Sequence, residues 1–224
     1  MEKIAGVTND SRKVQEGFVF VAVKGTRDDG NRYIKEAVAK GAVAVVTSEA
    51  PRPEYGVLQG QVEDSREALA NLSARFYGDP SERMRAIGIT GTNGKTTLTY
   101  LLESILAQAG GRPGILGTVN YRYGGKTFPA ETTTPESSEI QRIMAEMGSG
   151  GVTDLVLEVS SHALDQGRVA GIHFDVAAFT NLTQDHLDYH QSIAEYFSAK
   201  LKLFTEFLRT SSKKDRFAVI NMED

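Results

Sequence analysis

Between the apolar run Arg85 to Thr90 (RAIGIT) and a helical stretch reaching about Ala109 stands the segment GTNGKTT, residues 91–97. A strand that turns through glycines into a helix N-terminus lets backbone N–H groups converge on an anion. Lys95 would serve the outer phosphates and Thr96 a hydroxyl for magnesium, so the expected ligand is ATP with magnesium. The usual GxxxxGK spacing would place a glycine at Ile89, so this is a shortened GxxGKT form. A glycine-rich turn without a ligand is the plainer alternative; the strand before and the helix after favour a phosphate loop.

The rest of the chain alternates in the same way. Phe18 to Val23 and Ala42 to Thr47 are buried-strand runs, and Tyr33 to Lys40 between them has helical spacing closed by Gly41. That is a strand–helix–strand unit of about thirty residues. A further strand is expected over Val57 to Val62. Asp64 and Glu67 form a capping pattern that opens a helix over Ser65 to Tyr77, and Gly78-Asp79-Pro80 breaks it. Beyond the loop come a strand at Ile115 to Val119, a hairpin at Gly124-Gly125 and a helix at Glu136 to Met147. Strands follow at Asp154 to Val159, Val176 to Thr180 and Phe217 to Asn221, with a long helix over Ile193 to Leu208 before the last. The expected fold class is α/β: a small N-terminal α/β domain over 1–80, then a phosphate-loop-type, mostly parallel sheet with flanking helices over 81–224.

Composition narrows the function classes. The 224 residues carry 25 Lys and Arg against 29 Asp and Glu, a net charge of −4, which argues against a general nucleic-acid binder. With no Cys, disulfides, thiolate metal sites and cysteine nucleophiles are excluded. No signal peptide and no apolar run of about 18 residues is present, so a cytoplasmic chain without membrane contact is expected.

Four further groups of residues bear on the chemistry. Glu158 ends the apolar strand Leu155-Val156-Leu157, at the sheet edge where open α/β folds bind ligands, and could hold magnesium; a solvated strand-end charge is the alternative. Ser160, Ser161 and His162 follow without the GxSxG elbow of a nucleophilic hydrolase. His186 and His190 are four apart, which on a helix would face them together; one histidine among oxygen ligands of magnesium and an ordinary polar or capping histidine are both open. Lys200 falls among Ile193, Phe197, Phe204 and Phe207 at the spacing of one buried face. Its ammonium either snorkels to water or is a desolvated amine able to form a carbamate with carbon dioxide.

The segments GITGTNGKTT, TTTPES, LEVSSHALDQGRV and FTNLTQDHLDYH, in that order and followed by the lysine of YFSAKLKLF, closely resemble the Mur ligases of peptidoglycan synthesis. The resemblance is strongest to members that extend UDP-N-acetylmuramoyl-L-alanyl-D-glutamate by a diamino acid, and NDSRKVQEGFVFVAVKGTRDDGNRYI resembles their UDP-binding domain. It implies an ATP-dependent amide ligase acting through an acyl phosphate, with two magnesium ions; the chain itself is expected to be a monomer. In that family's pattern Gly91, Thr92, Asn93, Gly94, Lys95, Thr96 and Thr97 bind ATP, Thr96 and Glu158 hold one magnesium, and His186 is a ligand of the second. Lys200 matches the family's carbamylated lysine. Asn9, Ser11, Thr26, Arg27 and Asp28 fall where UDP is gripped, and Thr132, Thr133, Thr134, Ser160, Gln166 and Arg168 where the sugar-peptide is held. Thr132 stands where relatives often carry Asn.

The resemblance also implies a third, C-terminal domain carrying the diamino-acid motif, which these residues do not include. The chain is therefore expected to be a fragment that binds nucleotides without completing the ligation, with sequence missing before Met1 and after Asp224. Whether the diamino acid is 2,6-diaminopimelate or lysine stays open. The alternatives are a folylpolyglutamate synthetase-like ligase, against which the DSR and SSHALDQGRV segments argue, a non-catalytic nucleotide- or UDP-sugar-binding module, and a motion-coupled ATPase.

Overall fold

The structure is a computed structural model that describes residues 3–25, 28–185 and 189–223. The first 61 residues build a four-stranded sheet from β1 (Gly6–Thr8), β2 (Phe18–Ala22), β3 (Ala42–Thr47) and β4 (Leu58–Gln61), side by side in chain order and all parallel. Successive residues of a strand point to opposite faces. Phe20 and Ala22 of β2 accordingly pack with Ile34 and Ala37 of α1 (Ile34–Ala39), whereas Val19, Val21 and Val23 pack with Leu69 of α2 (Ser65–Phe76). The Asp64 carboxylate caps α2, accepting from the N–H groups of Arg66 and Glu67 at 2.7 and 3.1 Å. Gly78 and Asp79, both at positive φ, end it, and a 3-10 turn Pro80–Arg83 leads away.

A seven-stranded sheet follows, with β5 (Arg85–Thr90), α3 (Lys95–Gln108), β6 (Pro113–Leu116), the hairpin β7 (Asn120–Tyr123) and β8 (Lys126–Pro129), and α4 (Ser137–Ser149). β9 (Asp154–Glu158), α5 (Ser161–Asp165), β10 (Val176–Phe179), α6 (Ile193–Lys202) and β11 (Phe217–Ile220) complete it. The spatial order is β11-β10-β5-β9-β6-β7-β8, parallel except for the antiparallel β7 and β8. One face packs Ala86, Leu155 and Leu157 with Ile140, Met144 and Met147 of α4; the other packs Ile87, Ile89 and Val156 with Leu98, Leu102 and Leu106 of α3. Sheets covered on both faces need near-continuous apolar strands, which is how these runs read in the sequence. α2 packs on α4 and so joins the two sheets.

The chain leaves β5 for β6, beyond β9 on one side, and leaves β9 for β10, beyond β5 on the other. The carboxyl ends of β5 and β9 therefore flank a topological switch point, the crevice where open α/β sheets take ligands. Gly91 and Glu158 stand at that crevice.

Two expectations need correction. The long helix is regular only to Lys202 and continues as a π-helical turn, Leu203–Leu208. Its buried face is Tyr196, Ala199, Lys200 and Leu203, whereas Ile193 and Phe197 are 48% and 42% exposed. Large apolar residues occur on more than one side of this segment, so spacing alone left the phase of the helix open, and packing against α5 sets it. The strand expected over Ile115 to Val119 ends at Leu116, because Gly117 and Thr118 turn to meet Glu158.

Leu157 is fully buried and Leu58 is 76% exposed. In urea unfolding, Leu157→Ala is expected to lower stability by about 2–5 kcal/mol and Leu58→Ala by no more than about 0.5 kcal/mol. Equal losses would contradict the placement of the core.

Candidate active site

β5 delivers the chain into the loop 91–94, and α3 starts at Lys95 behind it. Gly91 has φ +143, and a Cβ there would lie 1.9 Å from Thr180 Oγ1, so no side chain fits. The segment leaving β10 clamps the loop from that side. Thr92 N–H donates to the Asn181 carbonyl (2.9 Å), Asn93 N–H to Asn181 Oδ1 (2.8 Å), and the Thr180 hydroxyl to the Asn93 carbonyl (2.7 Å). Thr183 N–H donates to the Thr92 hydroxyl (3.0 Å), which also lies 3.2 Å from the Tyr196 hydroxyl.

Two ammonium groups meet on this loop. Lys95 Nζ donates to the carbonyls of Gly91 and Thr92, both at 2.9 Å, and Lys200 Nζ donates to the same Gly91 carbonyl at 2.8 Å. Lys200 is 2% exposed and its Nζ lies 4.2 Å from the centre of the Tyr196 ring. Burial foremost and the nearby Lys95 charge, partly offset by Asp185, together lower its pKa to about 7. Burial also lowers Lys95, against the raising influence of Glu158 and Asp185.

Across the crevice Glu158, 1% exposed, accepts from the Thr96 hydroxyl (3.0 Å), the Thr118 hydroxyl (2.9 Å) and the Thr118 N–H (3.2 Å). A Cβ on Gly117 would stand 2.3 Å from Glu158 Oε1, so that glycine lets the chain pass close over the carboxylate. Gly94 offers α3 no side-chain cap, which leaves the first N–H groups of a 14-residue helix for an anion. A hydroxyl and a carboxylate side by side are hard oxygen donors suited to magnesium. Among the described residues no group of three or more His, Asp and Glu gathers that could hold a metal ion. Magnesium takes only one or two protein ligands when phosphates and waters supply the rest, so the donor set and the loop fit both groups.

A cleft of about 920 Å³ opens between the two sheets. Asn9, Ser11 and Asp28 line it from the first half, and Thr132 and Arg168 from the second. Ser11 donates to Glu36 (3.2 Å), and the Ser138 hydroxyl reaches Asn9 Oδ1 (3.4 Å) across the cleft. Thr133, Thr134, Ser160 and Gln166 do not line this cleft. Thr133 meets the Thr118 hydroxyl (3.1 Å); the Thr134 hydroxyl donates to the Glu158 carbonyl (2.8 Å) and accepts from Ser160 N–H (3.0 Å). Arg168 Nη1 donates to the Thr134 carbonyl (3.0 Å) and its Nε and Nη2 to Gln166 Oε1 (3.0 and 2.7 Å). Thr134 thereby links Arg168 to the Glu158 crevice. Thr26, Arg27 and His186 lie outside the described residues. His190, 4% exposed, sits in a bend before α6 among the rings of His162, Tyr189 and Tyr196.

Sequence reasoning missed Thr118, Thr180, Asn181 and Tyr196 as parts of the site. Thr180 and Asn181 lie within the segment FTNLTQDHLDYH, whose polar residues beside a strand end were the available signal, and Tyr196 opens YFSAKLKLF four residues before Lys200; Thr118 had none, because its role depends on the sheet order.

The Mur ligase middle-domain family model matches residues 89–224, and the model for the Mur ligase family catalytic domain matches residues 3–77. The chain is 48% identical over 223 residues to the UDP-N-acetylmuramoyl-L-alanyl-D-glutamate–2,6-diaminopimelate ligase of Geobacter metallireducens, covering 99% of this chain and 44% of the relative. It thus spans somewhat less than half the length of that relative. A solved structure of a ligase of the same name aligns with a TM-score of 0.83 at 30% identity, over 98% of this chain and 43% of that one. The MurF ligase of Thermotoga maritima, solved in complex with ADP, aligns with a TM-score of 0.64 at 25% identity, over 99% of this chain and 46% of that one. A chain matched by Mur ligase models over nearly all its length, with its GTNGKTT loop and Glu158 at one crevice, belongs to the Mur ligase family.

Proposed function

We propose that the chain binds ATP and UDP-N-acetylmuramoyl-L-alanyl-D-glutamate for ATP-dependent amide-bond formation to a diamino acid. The relatives' names favour 2,6-diaminopimelate as that amino acid. The observation that carries the reading is the meeting of the uncapped α3 N-terminus, Lys95, and the Thr96–Glu158 pair at the switch point. In this reading residues 1–80 are the UDP-sugar-binding domain and 81–224 the nucleotide-binding domain, acting in the cytoplasm as a monomer. Among the described residues no helix is long and apolar enough to cross a membrane.

Each group then has a task. The N–H groups of Lys95, Thr96 and Thr97 at the uncapped start of α3 hold phosphate oxygens, and Lys95 exchanges two loop carbonyls for the outer phosphates. Asn9, Ser11, Thr26, Arg27 and Asp28 grip the UDP portion, Thr132 and Arg168 the sugar-peptide, and Thr133, Thr134, Ser160 and Gln166 support Arg168 and the crevice. Magnesium, held by Thr96 and Glu158 with His186 serving a second ion, supplies neutralisation of phosphate charge. The Lys200 amine, neutral to a substantial degree near pH 7, is suited to take up carbon dioxide as a carbamate and become an anionic ligand. An oxygen of the substrate's glutamate side chain attacks the γ-phosphorus and ADP departs; the incoming amine then attacks the acyl carbon, losing a proton as inorganic phosphate leaves. Attack by one anion on another needs the fixed positive charge and alignment that this crevice concentrates.

Mg-ATP is expected to raise the melting temperature of the chain, as any ligand bound by the folded state alone does. Lys95→Ala should weaken Mg-ATP binding about tenfold to hundredfold, the worth of a charge-assisted contact. Unchanged affinity would sink the phosphate-loop assignment. For Lys200, native mass spectrometry in bicarbonate should show an added mass of one carbon dioxide that Lys200→Ala abolishes. An adduct of equal abundance in the variant would place the carbamate elsewhere.

A further inference from the structure

Thr118 holds neither nucleotide nor sugar-peptide in the proposed function, yet it grips the Glu158 carboxylate from both sides. Its hydroxyl donates to Oε2 at 2.9 Å and its N–H to Oε1 at 3.2 Å. The Thr96 hydroxyl takes a second position on Oε2, at 3.0 Å. An ionised carboxylate offers about four acceptor positions, so these bonds fill Oε2 and leave one position open on Oε1. With a single donor a carboxylate swings about its last bond; with a donor on each oxygen it does not.

The local chain builds this grip. β6 ends at Leu116, and Gly117, where a side chain would collide with Glu158 Oε1, brings the Thr118 N–H over the carboxylate. On its other side the Thr118 hydroxyl lies 3.1 Å from the Thr133 hydroxyl, in the segment whose Glu131 and Thr132 line the cleft. Thr118 is exposed, and β6 already pairs with β9 through Pro113 to Leu116, so its bonds to Glu158 are needed neither to satisfy a buried threonine nor to close the sheet. The group that gains is Glu158, a buried carboxylate whose direction they fix. Partners of this kind orient the ligands of metal sites and set their affinity.

We propose that Thr118 is a positioning residue of the magnesium site, holding the Glu158 carboxylate in one orientation beside Thr96 before metal and nucleotide arrive. The proposal rests on the reading of Thr96 and Glu158 as magnesium donors. It gives the connection after β6 a part in nucleotide binding although it lies outside the GTNGKTT loop.

The test is the factor by which magnesium tightens ADP, measured by calorimetry on the 224-residue chain with magnesium and with EDTA. Thr118→Val keeps the N–H and the shape of the side chain and removes the hydroxyl. It is expected to lower that factor about tenfold while leaving metal-free ADP affinity within about twofold. Thr118→Ser, which restores the hydroxyl, should return the factor to within about threefold of wild type. In a Glu158→Gln background Thr118→Val should change the factor less than about twofold, because a residue that acts through Glu158 has nothing left to orient. Should Thr118→Val fail to fold, Thr118→Ala takes its place. A factor unchanged by the loss of the hydroxyl, a loss shared equally by ADP with and without magnesium, or a further tenfold loss in the Glu158→Gln background overturns the proposal while the function stands. A folded wild-type chain whose ADP affinity does not respond to magnesium overturns the reading of Thr96 and Glu158 as metal donors and this proposal with it.

Discussion

Two lysine ammoniums donate to one backbone oxygen, the Gly91 carbonyl, from opposite ends of the second half of the chain. Burial lowers the pKa of both amines, and the Lys95 charge lowers that of Lys200 further, so holding the two here is costly. The arrangement persists because the loop beneath it is fixed: Gly91 has no room for a side chain, and Thr180, Asn181 and Thr183 hold Thr92 and Asn93 through backbone and side-chain bonds. A site that concentrates positive charge before its ligand arrives is preorganised for a polyphosphate, so the local strain in electrostatics is a feature the function reading uses.

The sheet order converts this loop into a site. Because β9 lies beside β5 and the chain leaves the two strands in opposite directions, Glu158 faces Thr96 although the residues are 62 apart in sequence. Thr118, arriving from β6 on the other flank of β9, covers the same carboxylate. Thr134 carries the connection onward, its hydroxyl bonded to the Glu158 carbonyl and its own carbonyl accepting from Arg168, so the crevice and the cleft between the sheets are joined by hydrogen bonds.

What the sequence revealed followed from the range of the interactions involved. The strands of both parallel sheets are continuous apolar runs, and GTNGKTT is a local motif whose conformation depends on its own glycines, so Phe18–Ala22, Ala42–Thr47 and the loop itself were legible. β1 is only three residues long, Gly6–Thr8, and carries no recognisable period. Spacing alone places Ile193 and Phe197 of α6 inward because an apolar residue on a helix does not say which neighbour will cover it; α5 and the Gly91 loop cover the side of Tyr196 and Lys200. Lys200 itself was legible as a core lysine. The approach of Arg66 on α2 to Glu136 at the start of α4 was not, because it joins a helix of the first sheet to a helix N-terminus of the second.

The central claim is that Lys95 is held ready on the loop carbonyls and passes to the phosphates when nucleotide binds. The most direct measurement follows the side-chain amine signals of Lys95 and Lys200 by NMR in isotope-labelled protein, assigned by substitution, during titration with a non-hydrolysable Mg-ATP analogue. The account predicts that the Lys95 signal moves with saturation at the nucleotide affinity, and that Lys200, sharing the Gly91 carbonyl, moves with it. Saturable nucleotide binding that leaves the Lys95 signal where it was would contradict the account, because the phosphates would then lie away from the Gly91 loop.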